Sequence, residues 1–211
     1  MKTVNDGVPM SPAMDRSDAA LRSIVLAGGA SSRMGADKAL LSYCGKPHVR
    51  DMAAPLETIA PPAYVSVRED QVEESALQGL RLLRDPARNI GPLAGLLAAF
   101  GLEPRCAWLV VAVDLPWITR ATLAHLLAVR DPCMCATAYR IPGADRPDPV
   151  CAIDEPRILA SLERARDERR YSLMLLRDLP TLLFEPEDPW ELCGANTPGE
   201  YLAALSAPRP A

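Results

Sequence analysis

Ala107-Trp108-Leu109-Val110-Val111-Ala112-Val113-Asp114 decides the fold. A run that is apolar at every position and ends on an acid has both faces covered, the condition of a central strand in a parallel sheet. Outward from this run, short apolar segments and helical patterns alternate. Ser23-Ile24-Val25-Leu26-Ala27 is a buried strand that stops at Gly28-Gly29. Val49, Met52, Ala53, Leu56 and Ile59 recur at helical spacing within 47–59. The pattern then predicts a strand at 63–67, a short helix at 71–78 and a third strand at 80–83. A small-residue helix over 93–100 opens at Gly91-Pro92, where proline's missing N–H costs nothing. A helix over 119–129 turns Leu123, Leu126 and Leu127 inward. Strands at 134–139 and 150–153 flank a Gly/Pro/Asp-rich excursion over 141–149, a loop or a hairpin. A charged helix over 157–177 and a short strand at 182–184 follow. Thr197-Pro198-Gly199-Glu200 opens a closing helix, with Thr197 as N-cap and Glu200 completing a capping box. Such alternation requires crossover connections and gives an α/β fold, helices on both faces of a mostly parallel sheet. Residues 1–21 carry no periodicity and read as a tail. Residues 22–211 read as one domain.

Composition narrows the class. The chain has 211 residues, 49% of them apolar and 24% charged, the balance of a globular protein. No apolar run approaches the roughly 18 to 20 residues that a membrane span needs. A formal net charge of −4 argues against a general nucleic-acid binder. Cys44, Cys106, Cys133, Cys135, Cys151 and Cys193 contain no C-x-x-C pair, and only His48 and His125 accompany them, so a zinc cluster is not expected. The thiols read as mostly buried in a reducing cytoplasm, and no signal peptide opens the chain. Neither histidine has an evident Ser or Cys partner, so both read as structural.

In open α/β sheets, ligands bind outside the carboxyl ends of the strands. Just there, after the first strand, stands Leu26-Ala27-Gly28-Gly29-Ala30-Ser31-Ser32-Arg33-Met34-Gly35-Ala36-Asp37-Lys38. Gly28, Gly29 and Gly35 let backbone N–H groups approach an anion, and Arg33 and Lys38 add two fixed positive charges. This suits a triphosphate. The loop is neither a Walker A sequence, since Ala36-Asp37 separate Gly35 from Lys38, nor a G-x-G-x-x-G fingerprint. Asp114, at the end of the central strand, must be paired, protonated or bound to metal. Magnesium favours one or two carboxylates plus substrate phosphates, and Asp114 stands where both would meet. Asp85-Pro86 is either an ordinary turn or a reader of base or ribose. Gly91 to Gly95 either lets a helix approach a ligand or packs that helix tightly on the sheet.

These segments together resemble the signature of nucleotidyltransferases that activate a phosphate with a nucleoside triphosphate, and most closely the molybdenum cofactor guanylyltransferases. Gly45-Lys46-Pro47, Asp85, Gly91-Pro92-Leu93-Ala94-Gly95, Asp114 with Pro116, Pro149-Val150 and Asn196-Thr197-Pro198 follow in family order. The resemblance covers about residues 23 to 205. It implies a Rossmann-like three-layer fold of the nucleotide-diphospho-sugar transferase type. It implies transfer of GMP from Mg-GTP to the phosphate of molybdopterin in the cytoplasm. It implies transient contact with other cofactor-biosynthesis proteins or molybdoenzymes, and no nucleic-acid or membrane partner. By the same resemblance, Leu26, Ala27, Gly28, Gly29, Gly35, Lys38, Ser66, Asp85, Gly91 and Gly95 line the nucleotide site. Asp114 holds Mg2+; on the charges of the loop itself, Arg33 meets the β- and γ-phosphates and Lys38 the transferring phosphoryl group, so that Arg33, Lys38 and Asp114 carry the catalysis, with Asn196 on the acceptor side. Ser66 stands where the family often has asparagine, Val113 where it has cysteine, and Gly194 where it has a further asparagine. Two other readings fit the residues: a nucleotidyltransferase using CTP or another acceptor, and a non-catalytic nucleotide-binding module.

Overall fold

A computed structural model describes residues 19–29, 37–42, 45–87, 89–141 and 143–206. The predicted α/β fold is the one observed. The strands are β1 (Leu21–Leu26), β2 (Ala63–Val67), β3 (Arg81–Arg84), β4 (Ala107–Ala112), β5 (Ala136–Arg140), β6 (Pro147–Asp154) and β7 (Thr181–Phe184). They form one sheet in the order β3-β2-β1-β4-β6-β5-β7. The pairings β1·β2, β1·β4, β2·β3 and β5·β7 are parallel, and β6 runs antiparallel to both β4 and β5. The α-helices are α1 (His48–Ile59), α2 (Pro92–Leu102), α3 (Arg120–Val129), α4 (Leu159–Asp167) and α5 (Pro198–Ser206). None is long and apolar enough to cross a membrane.

The strand that opened the sequence reading sits at the centre, with all six residues buried. Its side chains alternate between two cores. Leu109 and Val111 join Val49, Leu56 and Leu126 on the α1/α3 face. Trp108 and Val110 join Leu93, Phe100 and Leu162 on the α2/α4 face. Trp108 meets Tyr64 and Phe100 edge to face, with ring centroids 5.7 and 6.5 Å apart.

Three elements depart from their sequence expectation. The helix expected at 71–78 is two short 3-10 turns, Glu69–Gln71 and Ser75–Leu77, the first capped by the Gln71 side chain, which accepts from the Arg68 N–H at 2.8 Å. The excursion over 141–149 takes the hairpin alternative, and the departure is at its end, where β6 begins at Pro147 rather than at 150. The long charged helix stops early. Arg169, at φ 56°, takes the left-handed position, and the Arg170 N–H reaches back to the Ala165 carbonyl at 2.7 Å. That Schellman closure is usually signalled by glycine, and here an arginine fills it. The closing helix has its expected capping box: Thr197 Oγ1 accepts from Glu200 N at 3.3 Å, and Glu200 Oε2 accepts from Thr197 N at 2.9 Å.

Both histidines sit where a structural role predicts. His48 is buried at the start of α1. His125 Nδ1 lies 2.7 Å from the Tyr139 hydroxyl, which itself donates to the Thr122 carbonyl, so the shared proton belongs to the histidine. The cysteines correct the sequence reading. Cys106 and Cys151 are buried, but Cys133 is exposed and Cys135 and Cys193 are half-buried, because these three lie in turns outside the strands. Cys44 lies outside the described residues.

Asp154 ends β6 opposite Trp108 and Ala136. It is fully buried, and neither carboxyl oxygen has a hydrogen-bond partner among the described residues. Burial, with the Glu155 charge behind it, pushes its pKa up to about 8. The folded state therefore holds this proton more tightly than the unfolded chain does. The contribution to stability is largest at low pH and is lost as pH rises from about 4 to about 8. Asp154→Asn should flatten that decline and raise the unfolding free energy at pH 8 by on the order of 1–3 kcal/mol, read by urea denaturation across the pH range.

Candidate active site

The carboxyl ends of β1, β2, β3 and β4 open on one cleft. Leu26, Ala27, Gly28, Gly29, Lys38, Ser66, Asp85, Gly91 and Asp114, all singled out in the sequence, line it. Arg33 and Gly35 lie outside the described residues. Gly95 does not line the cleft. It lets α2 press on the sheet: a Cβ there would stand 2.5 Å from Ser66 Oγ and 2.6 Å from Leu26 Cδ2. The open alternative of ligand approach or tight packing thus resolves to packing at this position.

At the β2/β3 end, the Ser66 hydroxyl donates to Asp85 Oδ1 at 2.5 Å. Burial raises the Asp85 pKa, and the Ser66 hydrogen bond and the Arg68 charge pull it back. The other carboxylate oxygen lies against Gly28, where any Cβ would collide with it. Asp85 is therefore more than a turn residue, since it packs on the arm that begins the glycine loop.

At the β4 end, Lys38 Nζ donates to Asp114 Oδ2 at 3.0 Å and to Asn196 Oδ1 at 2.6 Å. The Ala195 N–H holds the Asp114 carbonyl at 2.8 Å, which brings the Asn196 segment to the strand end. Asn196 N and Thr197 N both donate to Glu200 Oε2, at 2.7 and 2.9 Å, and these bonds lower the Glu200 pKa. Lys38, Asp114 and Asn196 thus converge from three distant parts of the chain.

Four further residues build the site and were not singled out in the sequence. Asp37 caps the 3-10 turn that carries Lys38, accepting from Ala39 N at 3.0 Å. Its second oxygen accepts from Gln71 Nε2 at 2.6 Å and Arg68 Nη2 at 3.1 Å. Arg68 also donates to the Gly28 and Gly29 carbonyls, at 3.3 and 2.5 Å, and Gln71 to the Ala27 carbonyl at 3.2 Å. Arg68 and Gln71 therefore clamp the two arms of the loop, residues 27–29 and 37–38. Their position just past β2, at the carboxyl edge, was the available signal. Asp148 is the fourth. Continuing the β4·β6 register from Val111 opposite Cys151 by three pairs sets it opposite Asp114. It is 6% exposed and accepts from Val150 N at 3.0 Å. Burial above all, opposed by the Val150 N–H and helped by the Asp114 charge, raises its pKa to about 6.

Among the described residues no group of three or more His, Cys, Asp or Glu could hold a metal alone. Asp114 is a single carboxylate at the mouth of the cleft, the donor set of a cation completed by phosphate oxygens.

Glycine amides after the first strand, a lysine and an acid at the edge of a mixed sheet define an α/β protein built to handle nucleotides. The chain belongs to the family of the MobA-like NTP transferase domain, whose model matches residues 23–181, and is a nucleotidyltransferase. The molybdenum cofactor biosynthesis bifunctional protein of Synechocystis sp. is 29% identical over 188 residues, which cover 89% of this chain. This chain spans 54% of that relative's length. The probable molybdenum cofactor guanylyltransferase of Opitutus terrae is 29% identical over 195 residues, covering 88% of this chain and 95% of the relative. In structure, the molybdopterin-guanine dinucleotide biosynthesis protein A of Archaeoglobus fulgidus superposes with a TM-score of 0.71 at 21% identity, covering 87% of this chain and 96% of that one.

Arg68→Ala should release the Gly28 and Gly29 carbonyls together with Asp37, and so uncouple the loop arms. Nucleoside triphosphate affinity is expected to fall about tenfold, measured by calorimetry, while circular dichroism stays unchanged.

Proposed function

We propose that the chain transfers GMP from Mg-GTP to the phosphate of molybdopterin and releases pyrophosphate. The observation that carries this reading is the Lys38 ammonium, bonded to Asp114 and Asn196 beside the glycine arm. An in-line attack at the α-phosphorus must bring two anions together and stabilise the leaving group. Positioning and electrostatics carry such a reaction. The acceptor phosphate monoester loses its second proton near pH 6, so at neutral pH it attacks without a general base. Arg33 and the amides of Gly28 and Gly29 take the β- and γ-phosphates. Lys38 neutralises the transferring phosphoryl group, and Asn196 orients both Lys38 and the incoming phosphate. Mg2+ held by Asp114 and phosphate oxygens would supply positive charge for the departing pyrophosphate.

Base choice falls to the Ser66–Asp85 pair. A carboxylate is an acceptor only, and it fits the adjacent N–H donors on the pairing edge of guanine. Cytosine offers one donor beside an acceptor and fits it less well. Ser66, in place of the family's asparagine, serves by orienting the carboxylate. The names of the guanylyltransferase relatives support the same acceptor.

The test is pyrophosphate release with each of the four nucleoside triphosphates and molybdopterin. GTP should give the highest rate. A charge-assisted hydrogen bond contributes roughly 1.5–3 kcal/mol, so Lys38→Ala should lose at least about tenfold in kcat, and Asp114→Asn likewise, with both variants folded. Undiminished turnover in both variants removes the mechanism, and a preference for CTP removes the base assignment.

A further inference from the structure

Trp117 and Trp190 lie outside the machinery above. Trp190 is 67% exposed, the only aromatic among the exposed large hydrophobic residues described. Its ring meets Trp117 edge to face, with centroids 6.3 Å apart and planes at 67°. Both rings are carried by the segments that build the Asp114 end of the site. Trp117 follows Asp114 by three residues, so its Cα lies within roughly 10 Å of the Asp114 Cα. Trp190 is held by Asp188, whose Oδ1 accepts from Trp190 N at 2.9 Å, in the turn Pro189–Leu192. Two bonds lash these segments together: Ala195 N to the Asp114 carbonyl at 2.8 Å, and Thr119 Oγ1 to Glu191 Oε2 at 3.2 Å.

The sheet order gives this pair a direction. The Ser66–Asp85 end of the cleft belongs to β2 and β3, on one side of β4. The segment bearing Trp190 leaves β7, at the far side of β4, and returns to Asp114. A nucleotide lying over β1, β2 and β3 leaves the other half of the edge to the acceptor. We propose that Trp117 and Trp190 are the ring-binding part of the acceptor site. The indoles stack on the flat pyrimidinone face of a pterin while its phosphate reaches Lys38 and Asn196. This rests on the acceptor assigned above. Stacking suits the site chemically, because Glu185, Glu187, Asp188 and Glu191 surround the segment and a purely ionic grip on an anion would be opposed there.

The test uses 6-hydroxymethylpterin as probe, added to the full chain with saturating GTP so that the Asp85 end is filled. Tryptophan emission reports binding, and the fully buried Trp108 supplies a constant background. Quenching is expected in the wild type, and about a tenfold weaker affinity in Trp190→Ala, with circular dichroism and GTP affinity unchanged. In steady state, Trp190→Ala should raise KM for molybdopterin about tenfold and leave KM for GTP alone. Absence of quenching in the wild type overturns the proposal. So do equal pterin affinities in the two proteins, and so does a change of sedimentation in Trp190→Ala with pterin affinity intact, which assigns the pair to a protein contact. Failure of the acceptor assignment reads differently: no turnover with molybdopterin in any variant, with Trp190-dependent pterin quenching retained, keeps the ring site and removes the reaction.

Discussion

A strand shielded from water on both faces has no room for polar chemistry along its length. β4 is in that position, and it forces everything reactive to the edge where the strand ends. The same constraint explains why Asp114 comes directly after the seven buried residues 107–113. It also explains why the neighbours of Asp114 arrive from loops. Asp154, inside the sheet one strand away, is the exception that illustrates the rule. A carboxyl kept off the edge gives up its charge, and its pKa climbs to about 8.

The site itself is a problem in managing negative charge before a still more negative substrate arrives. Each carboxylate near the cleft is handled by a different device. Asp37 is ion-paired with Arg68, accepts a hydrogen bond from Gln71 and caps the turn that carries Lys38. Asp114 is matched by Lys38. Asp85 is kept oriented by one hydroxyl and packed against a glycine. Asp148 is withdrawn from water and held by backbone N–H groups. The amides of the first loop arm are thereby set in a frame whose cations are committed in advance, so binding requires little rearrangement of the clamp formed by Arg68 and Gln71. Preorganisation of this kind is the main source of electrostatic catalysis.

Much of this was legible in the sequence, and the rest was hidden for identifiable reasons. The alternation of apolar runs gave the α/β class, and the fully apolar run at 107–113 located the sheet centre. Lys38, Asp85 and Asp114 could be named because each follows a strand or the glycine loop, and Ser66 because the family resemblance points to its position. The reversal of β6 was one of two alternatives, since 141–149 could be a loop or a hairpin, and Pro147 disguised where the strand begins. The early end of α4 was invisible because Arg169 takes a backbone conformation that sequence reading reserves for glycine. Arg68 and Gln71 belong to no motif, and their partners are carbonyls and a carboxylate far away in sequence. Asp37 looked like a spacer that spoiled a familiar phosphate motif, when its work is to cap the turn.

The bond between Lys38 and Asn196 joins residues 158 positions apart. Contacts of such separation form late, after the chain between them has closed. A nascent chain with β1 through β6 already outside the ribosome possesses the glycine arm and the aspartate but lacks the asparagine that completes their geometry. The hydrogen bonds of Lys38 are therefore complete only once the segment after β7 has been made, and a product truncated before it that folds most of the sheet carries the cleft without Asn196.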